Sequence, residues 1–96
     1  MPRTHYDEDK DKLQLRLRKM EGQVRGLQQM IADDRYCLDV VQQVNALTSA
    51  AREVSLLVME SHLRATITEA IQSHDGESAI REMVDVLRKA LRTEGL

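Results

Sequence analysis

From Arg35 to Ser73 the chain contains neither glycine nor proline, and apolar residues recur throughout at helical spacing. With no breaker the run propagates as one helix. At a rise of 1.5 Å per residue, roughly 38 residues make a rod about 57 Å long, more than a small domain buries by itself. The length alone calls for a partner. Val40, Val44, Leu47, Ala51, Val54 and Val58 form a heptad-like seam, while Val41, Leu57, Leu63, Ile67 and Ile71 lie outside it, so more than one face requires burial.

The flanking segments follow the same period. Leu13, Leu17, Met20, Val24, Leu27 and Ile31 alternate spacings of four and three from Lys10 onward, which is one apolar stripe on a first helix. Asp33 and Asp34 interrupt it and offer an N-cap to the long helix. After a turn at Ser73 to Gly76, Ile80, Val84, Leu87 and Leu91 give a third stripe ending near Glu94 and Gly95. Phe and Trp are absent and only Tyr6 and Tyr36 are aromatic, so the core is built from Leu, Ile, Val, Met and Ala. Four Gly and one Pro supply too little turn chemistry for a sheet. The expectation is an all-α, three-helix protomer with a very long second helix. Residues 1–9 read as a mobile N-terminal tail, and residues 10–96 as a single domain. No stretch is long and apolar enough to span a membrane, and the first 30 residues carry charge where a signal peptide needs its apolar core. A cytoplasmic protein with no membrane partner is expected.

The formal net charge of -2 gives no global attraction to nucleic acid, so any such surface must be a local patch. One segment supplies it. Between Lys10 and Arg25 the cations Lys10, Lys12, Arg16, Arg18, Lys19 and Arg25 face only Asp11 and Glu21. Lys12, Arg16 and Lys19 share a helix face and are spaced to track a phosphate backbone, although a solvated helix face has the same look. Symmetry in an oligomer would repeat the patch.

Cys37 is the only cysteine, which excludes an intrachain disulfide. A lone cysteine is ordinarily a small buried hydrophobe. Here it falls in the first turn of the long helix, where free N–H groups and the helix dipole favour a thiolate, against the opposing charge of Asp33 and Asp34. His62 lies 25 positions further along, or about 37 Å along the axis. The two side chains cannot meet within one chain. If they form one site, the helix must pair antiparallel with its copy, each residue opposite the one whose number completes 99, and the site lies between subunits. That register centres the crossing between Ser49 and Ala50, where Thr48, Ser49, Ala50 and Ala51 permit close approach. A thiolate with an imidazole suits Cu(I), Zn(II), Ni(II) or Co(II), but two donors are too few. Thr66, one turn after His62, is a poor ligand. His5 in the tail offers a further nitrogen, and His74 reads as surface.

The segments RLRKMEGQVRGL (Arg16 to Leu27), DDRYCLDVVQQVNAL (from Asp33) and ESHLR (around His62) together resemble the CsoR/RcnR family of bacterial repressors, in order, spacing and helical context over nearly the entire chain. The resemblance implies an antiparallel helix-paired dimer, a dimer of dimers, and operator DNA held by basic helical surfaces and released when an effector occupies the intersubunit site. Arg16 corresponds to a DNA-contact arginine. Arg52, beside Glu53, falls at the family's second basic position with arginine and acid in the opposite order. Together with Arg18, Lys19 and Arg25 these form the expected DNA-binding set. In the copper-sensing branch Cu(I) is held by residues corresponding to Cys37 and His62 and by a cysteine where this chain has Thr66. Tyr36 and Glu82 match the tyrosine and glutamate that surround that site. The nickel and cobalt branch adds an N-terminal histidine, matched by His5, and another histidine, again at Thr66. The formaldehyde-sensing branch joins an N-terminal proline to the cysteine through a methylene bridge. Pro2 and Cys37 supply both groups, with Pro2 two residues further from the cysteine, and such a sensor needs no metal.

Three functional classes remain to be compared. A repressor predicts operator binding that weakens steeply with salt, as a homotetramer whose inducer is a metal ion or formaldehyde. A purely structural helical oligomer predicts no DNA binding. An enzyme is disfavoured, because no nucleophile, base and oxyanion site assemble.

Overall fold

The computed structural model describes residues 9–94, which form three helices: α1 (Lys10–Ala32), α2 (Cys37–Ser73) and α3 (Gly76–Glu94). No strand occurs among the described residues. The tail residues 1–8, with Pro2 and His5, lie outside them. The unbroken α2 spans 37 residues, as the absence of Gly and Pro dictates.

The two breaks between helices share one device. At the end of α1 Asp34 adopts φ 53°, its N–H bonds the Ile31 carbonyl at 3.2 Å, and the Arg35 N–H reaches back to Met30 at 3.0 Å. These are the bonds of a Schellman cap. The end of α2 repeats it, with His74 at φ 58° and the Asp75 N–H bonded to the Ala70 carbonyl at 3.2 Å. Asp33 and Asp34 therefore close α1 and do not cap α2. The reason is conformational: an N-cap needs extended backbone, whereas Asp34 is left-handed. The first turn of α2 instead bonds to the carbonyl of Tyr36, which accepts from the N–H groups of Asp39 and Val40. At α3 the expected kind of cap is present, with Asp75 Oδ1 accepting from the Ser78 N–H at 3.2 Å.

Two compact units divide the chain between Met59 and Glu60. The first holds α1 and the N-terminal part of α2. Leu13 and Leu57 are its buried core, and Met20, Leu27, Met30, Leu47, Ala50 and Val54 are half-buried around them. Only part of the α1 stripe is covered: Leu17, Val24 and Ile31 stay exposed, Ile31 by 64%. The second unit holds the C-terminal part of α2 with α3. Here Ser61 and Thr66 are buried, and His62, Leu63, Ala65 and Ala70 are half-buried with Ala79, Glu82, Met83, Val86 and Ala90. The α3 stripe of Ile80, Val84, Leu87 and Leu91 is exposed along its length. The helix turns its alanine-rich side inward, which allows close backbone approach, and leaves its bulkiest aliphatics outside.

Left-handed backbone at a non-glycine residue costs about 1–2 kcal/mol, more when the side chain is β-branched. Asp34→Val is expected to lower stability by about that amount in urea unfolding, whereas Gln28→Val, exposed within α1, should cost under about 0.5 kcal/mol. Equal losses would refute the cap assignment.

Candidate functional site

The segregated charge of α1 becomes a concave surface once α1 meets α2. Lys12, Leu15, Arg16, Lys19, Met20 and Gln23 of α1 and Ala50 of α2 line a groove of about 360 Å³. The positions on α1 recur every three to four residues, so they fall on one broad face, and Ala50 is small enough to leave the space open. None of Lys12, Arg16 and Lys19 is ion-paired to a described carboxylate. Their fields therefore add without internal neutralisation. Arg18 and Arg25 are exposed but belong to a different face of α1, and Arg52 is exposed on α2. The structure thus gathers Arg16 and Lys19 from the expected set and leaves Arg18, Arg25 and Arg52 apart from them. Gln23 went unnoticed in the sequence, although it lies seven positions after Arg16. Ala50 stood out there only as a small residue suited to close helix approach; that it lines this groove depends on which face α2 presents to α1.

Cys37 begins α2, with an exposed thiol at the helix end that concentrates unsatisfied N–H groups. Tyr36 precedes it and is 67% exposed. On α2 and α3, His62 and Glu82 come together: His62 Nε2 lies 3.3 Å from Glu82 Oε1, with side chains 12% and 32% exposed. The Nε2 atom is buried and has no aligned hydrogen bond, although it sits at ion-pair distance. The nitrogen is held against Glu82 without a satisfied hydrogen bond. Thr66, one turn on, is buried and donates its hydroxyl to the His62 carbonyl at 2.9 Å. That bond commits the hydroxyl proton, and the neutral oxygen that remains is a weak ligand for a thiophilic metal.

Among the described residues no group of three or more His, Cys, Asp or Glu side chains is placed to hold a metal ion. The donor types available are one thiol, at Cys37, and one imidazole, at His62, and each by itself suits a thiophilic transition metal. Glu82 faces Nε2 and is positioned to fix the ring, the task a carboxylate commonly performs from the nitrogen that binds no metal, which leaves Nδ1 as the donor. No helix is long and apolar enough to cross a membrane among the described residues.

Comparison with known proteins gives a consistent result. A family model described as metal-sensitive transcriptional repressor matches residues 9–89. The copper-sensing transcriptional repressor CsoR of Bacillus subtilis is 44% identical over 81 residues, covering 84% of this chain and 80% of that protein. The copper-sensing repressor CsoR with Cu(I) from Geobacillus thermodenitrificans superposes with a TM-score of 0.71 at 37% identity, over 95% of this chain and 93% of that one. The nickel-responsive transcriptional regulator InrS does so with a TM-score of 0.78 at 31% identity, over 91% and 98%.

A partly buried histidine–carboxylate contact across two helices should couple more strongly than an exposed ion pair within a helix. In double-mutant cycles read by urea unfolding, His62→Ala with Glu82→Ala is expected to give a coupling of about 0.5–1.5 kcal/mol. The exposed pair Arg64–Glu60, at 2.8 Å, should give under about 0.5 kcal/mol. Zero coupling at His62 would remove Glu82 from the site.

Proposed function

Because the chain belongs to the metal-sensitive transcriptional repressor family, we propose that it holds operator DNA through the basic face of α1 and releases it when a transition metal ion engages Cys37 and His62. The family is one of repressors, not enzymes. What carries the effector assignment is the half-buried His62 imidazole held against Glu82 through Nε2, on the same unbroken helix as an exposed thiol. The two positions lie too far apart along α2 to share a ligand within one chain, so Cys37 of one protomer works with the partner subunit's His62 in an antiparallel pair. Exposed aliphatics support that assembly. Val41 and Val44 of α2, Leu17, Val24 and Ile31 of α1, and the α3 stripe are more apolar surface than a monomer normally leaves in water. A homotetramer built as a dimer of dimers would cover them, with residues 10–96 of each protomer acting as one DNA-binding and sensing domain in the cytoplasm.

Copper is the first candidate ion, since relatives in B. subtilis and G. thermodenitrificans are copper sensors, with nickel next through InrS. Cobalt and zinc share the donor preference. Bound there, the ion would link helices of two subunits; Cys37 and His62 hold it, Glu82 orients the imidazole, and Tyr36 and Thr66 flank the ligands in sequence. Thr66 supplies no third ligand, so further donors must come from elsewhere, and His5 is the proposed source. Formaldehyde bridged between Pro2 and Cys37 is the competing inducer, favoured only by that shortage of ligands.

Three measurements test the reading. Arg16→Ala is expected to weaken binding to a duplex selected by the wild-type protein from a random pool at least about tenfold, without change in oligomeric mass. Titrating that complex with Cu(I), Ni(II), Co(II), Zn(II) and formaldehyde identifies the inducer: release by one metal, lost in Cys37→Ala, is expected, whereas release only by formaldehyde with the mass of one added carbon overturns the metal assignment. Thr66→Cys places a third soft donor one turn from His62, so Cu(I) affinity in chelator competition should rise about tenfold or more. An unchanged affinity would mean that position 66 does not face the ion.

A further inference from the structure

We propose that the α1–α2 groove is a seat for one backbone phosphate and its sugar, and that Gln23 and Ala50 help to hold the duplex there alongside Arg16. This deepens the repressor reading and rests on it. The groove has the chemistry of a sugar-phosphate site: Lys12, Arg16 and Lys19 supply positive charge, Leu15 and Met20 supply apolar surface for a deoxyribose, and no acidic residue lines it. About 360 Å³ exceeds what a few waters fill and falls at the low end of small-ligand pockets. In a chain of net charge -2, three unpaired cations around one concavity make an anion its natural occupant.

Gln23 supplies the second, independent observation. Its Oε1 is buried and has no hydrogen-bond partner, though the residue belongs to the groove lining. That oxygen is closed off from the groove, so the NH₂ end of the amide is the one that can donate to a phosphate oxygen. Ala50 acts through its size. It comes from the other helix, and any larger side chain there would fill the groove without changing charge.

This gives a test that separates shape from electrostatics. In the full-length protein, Ala50→Leu and Gln23→Leu both keep every cation. Binding is measured on the duplex selected by the wild-type protein and on an unselected duplex, over a range of salt concentrations. Each variant is expected to bind both duplexes about tenfold more weakly, with the salt slope for Ala50→Leu reduced by about one because one phosphate no longer seats. If both variants bind within about twofold of wild type while Arg16→Ala fails, the groove is not the seat, though the repressor reading survives. If the wild-type protein selects no duplex, that reading falls, and this proposal with it. Should Ala50→Leu change the oligomeric mass, Gln23→Leu alone decides; a changed mass in both variants assigns the groove to a second copy of the chain and overturns the proposal.

Discussion

One helix has to satisfy more neighbours than a single face can serve. Apolar residues are distributed around α2, so burial along it changes side: Leu47, Ala50, Val54 and Leu57 turn inward in the unit with α1, and Ser61, His62 and Thr66 do so in the unit with α3. Val41, Val44 and Leu56 are then left exposed. Hydrophobic burial is the dominant favourable term in folding, and here one protomer leaves much of it unrealised. Among the described apolar residues only Leu13 and Leu57 are buried. The oligomer proposed above would recover part of the missing burial.

The same helix carries residues of both proposed sites. Ala50 lines the basic groove, Cys37 begins the helix, and His62 faces Glu82 on α3. In the proposed arrangement an ion engaging Cys37 and His62 of different protomers would act on α2 at both points, and a shift of α2 would reach the groove through Ala50. Such coupling would require the ion to favour a state that holds DNA less well.

Much of this was legible in the sequence. Helix number and the long α2 followed from breaker placement, because Gly and Pro act locally. The basic cluster on α1 was visible despite the acidic total, since residues three and four apart must share a face. Cys37 and His62 stood out by residue type. Other features were misread or left open for identifiable reasons. Asp33 and Asp34 carry the side chains of an N-cap, yet a left-handed Asp34 ends α1, and composition does not distinguish the two uses of an aspartate. In α3 the sequence showed the stripe of Ile80, Val84, Leu87 and Leu91 but not which side packs within the protomer, which is the side with Ala79, Met83, Val86 and Ala90.

What the sequence determined by itself was therefore the set of local decisions: three helices, their breaks, a charged face on α1, and a thiol and an imidazole too far apart on one helix to cooperate within a chain. Each depends on interactions within a few residues or on the fixed rise of a helix. Tertiary structure decided which of several available faces each helix buries, and with it that Arg16 and Lys19 share a groove with Gln23 and Ala50, that His62 meets Glu82, and that Thr66 gives its hydroxyl to the His62 carbonyl. Those outcomes depend on packing between segments distant in sequence, where an amphipathic pattern wider than one contact admits more than one solution.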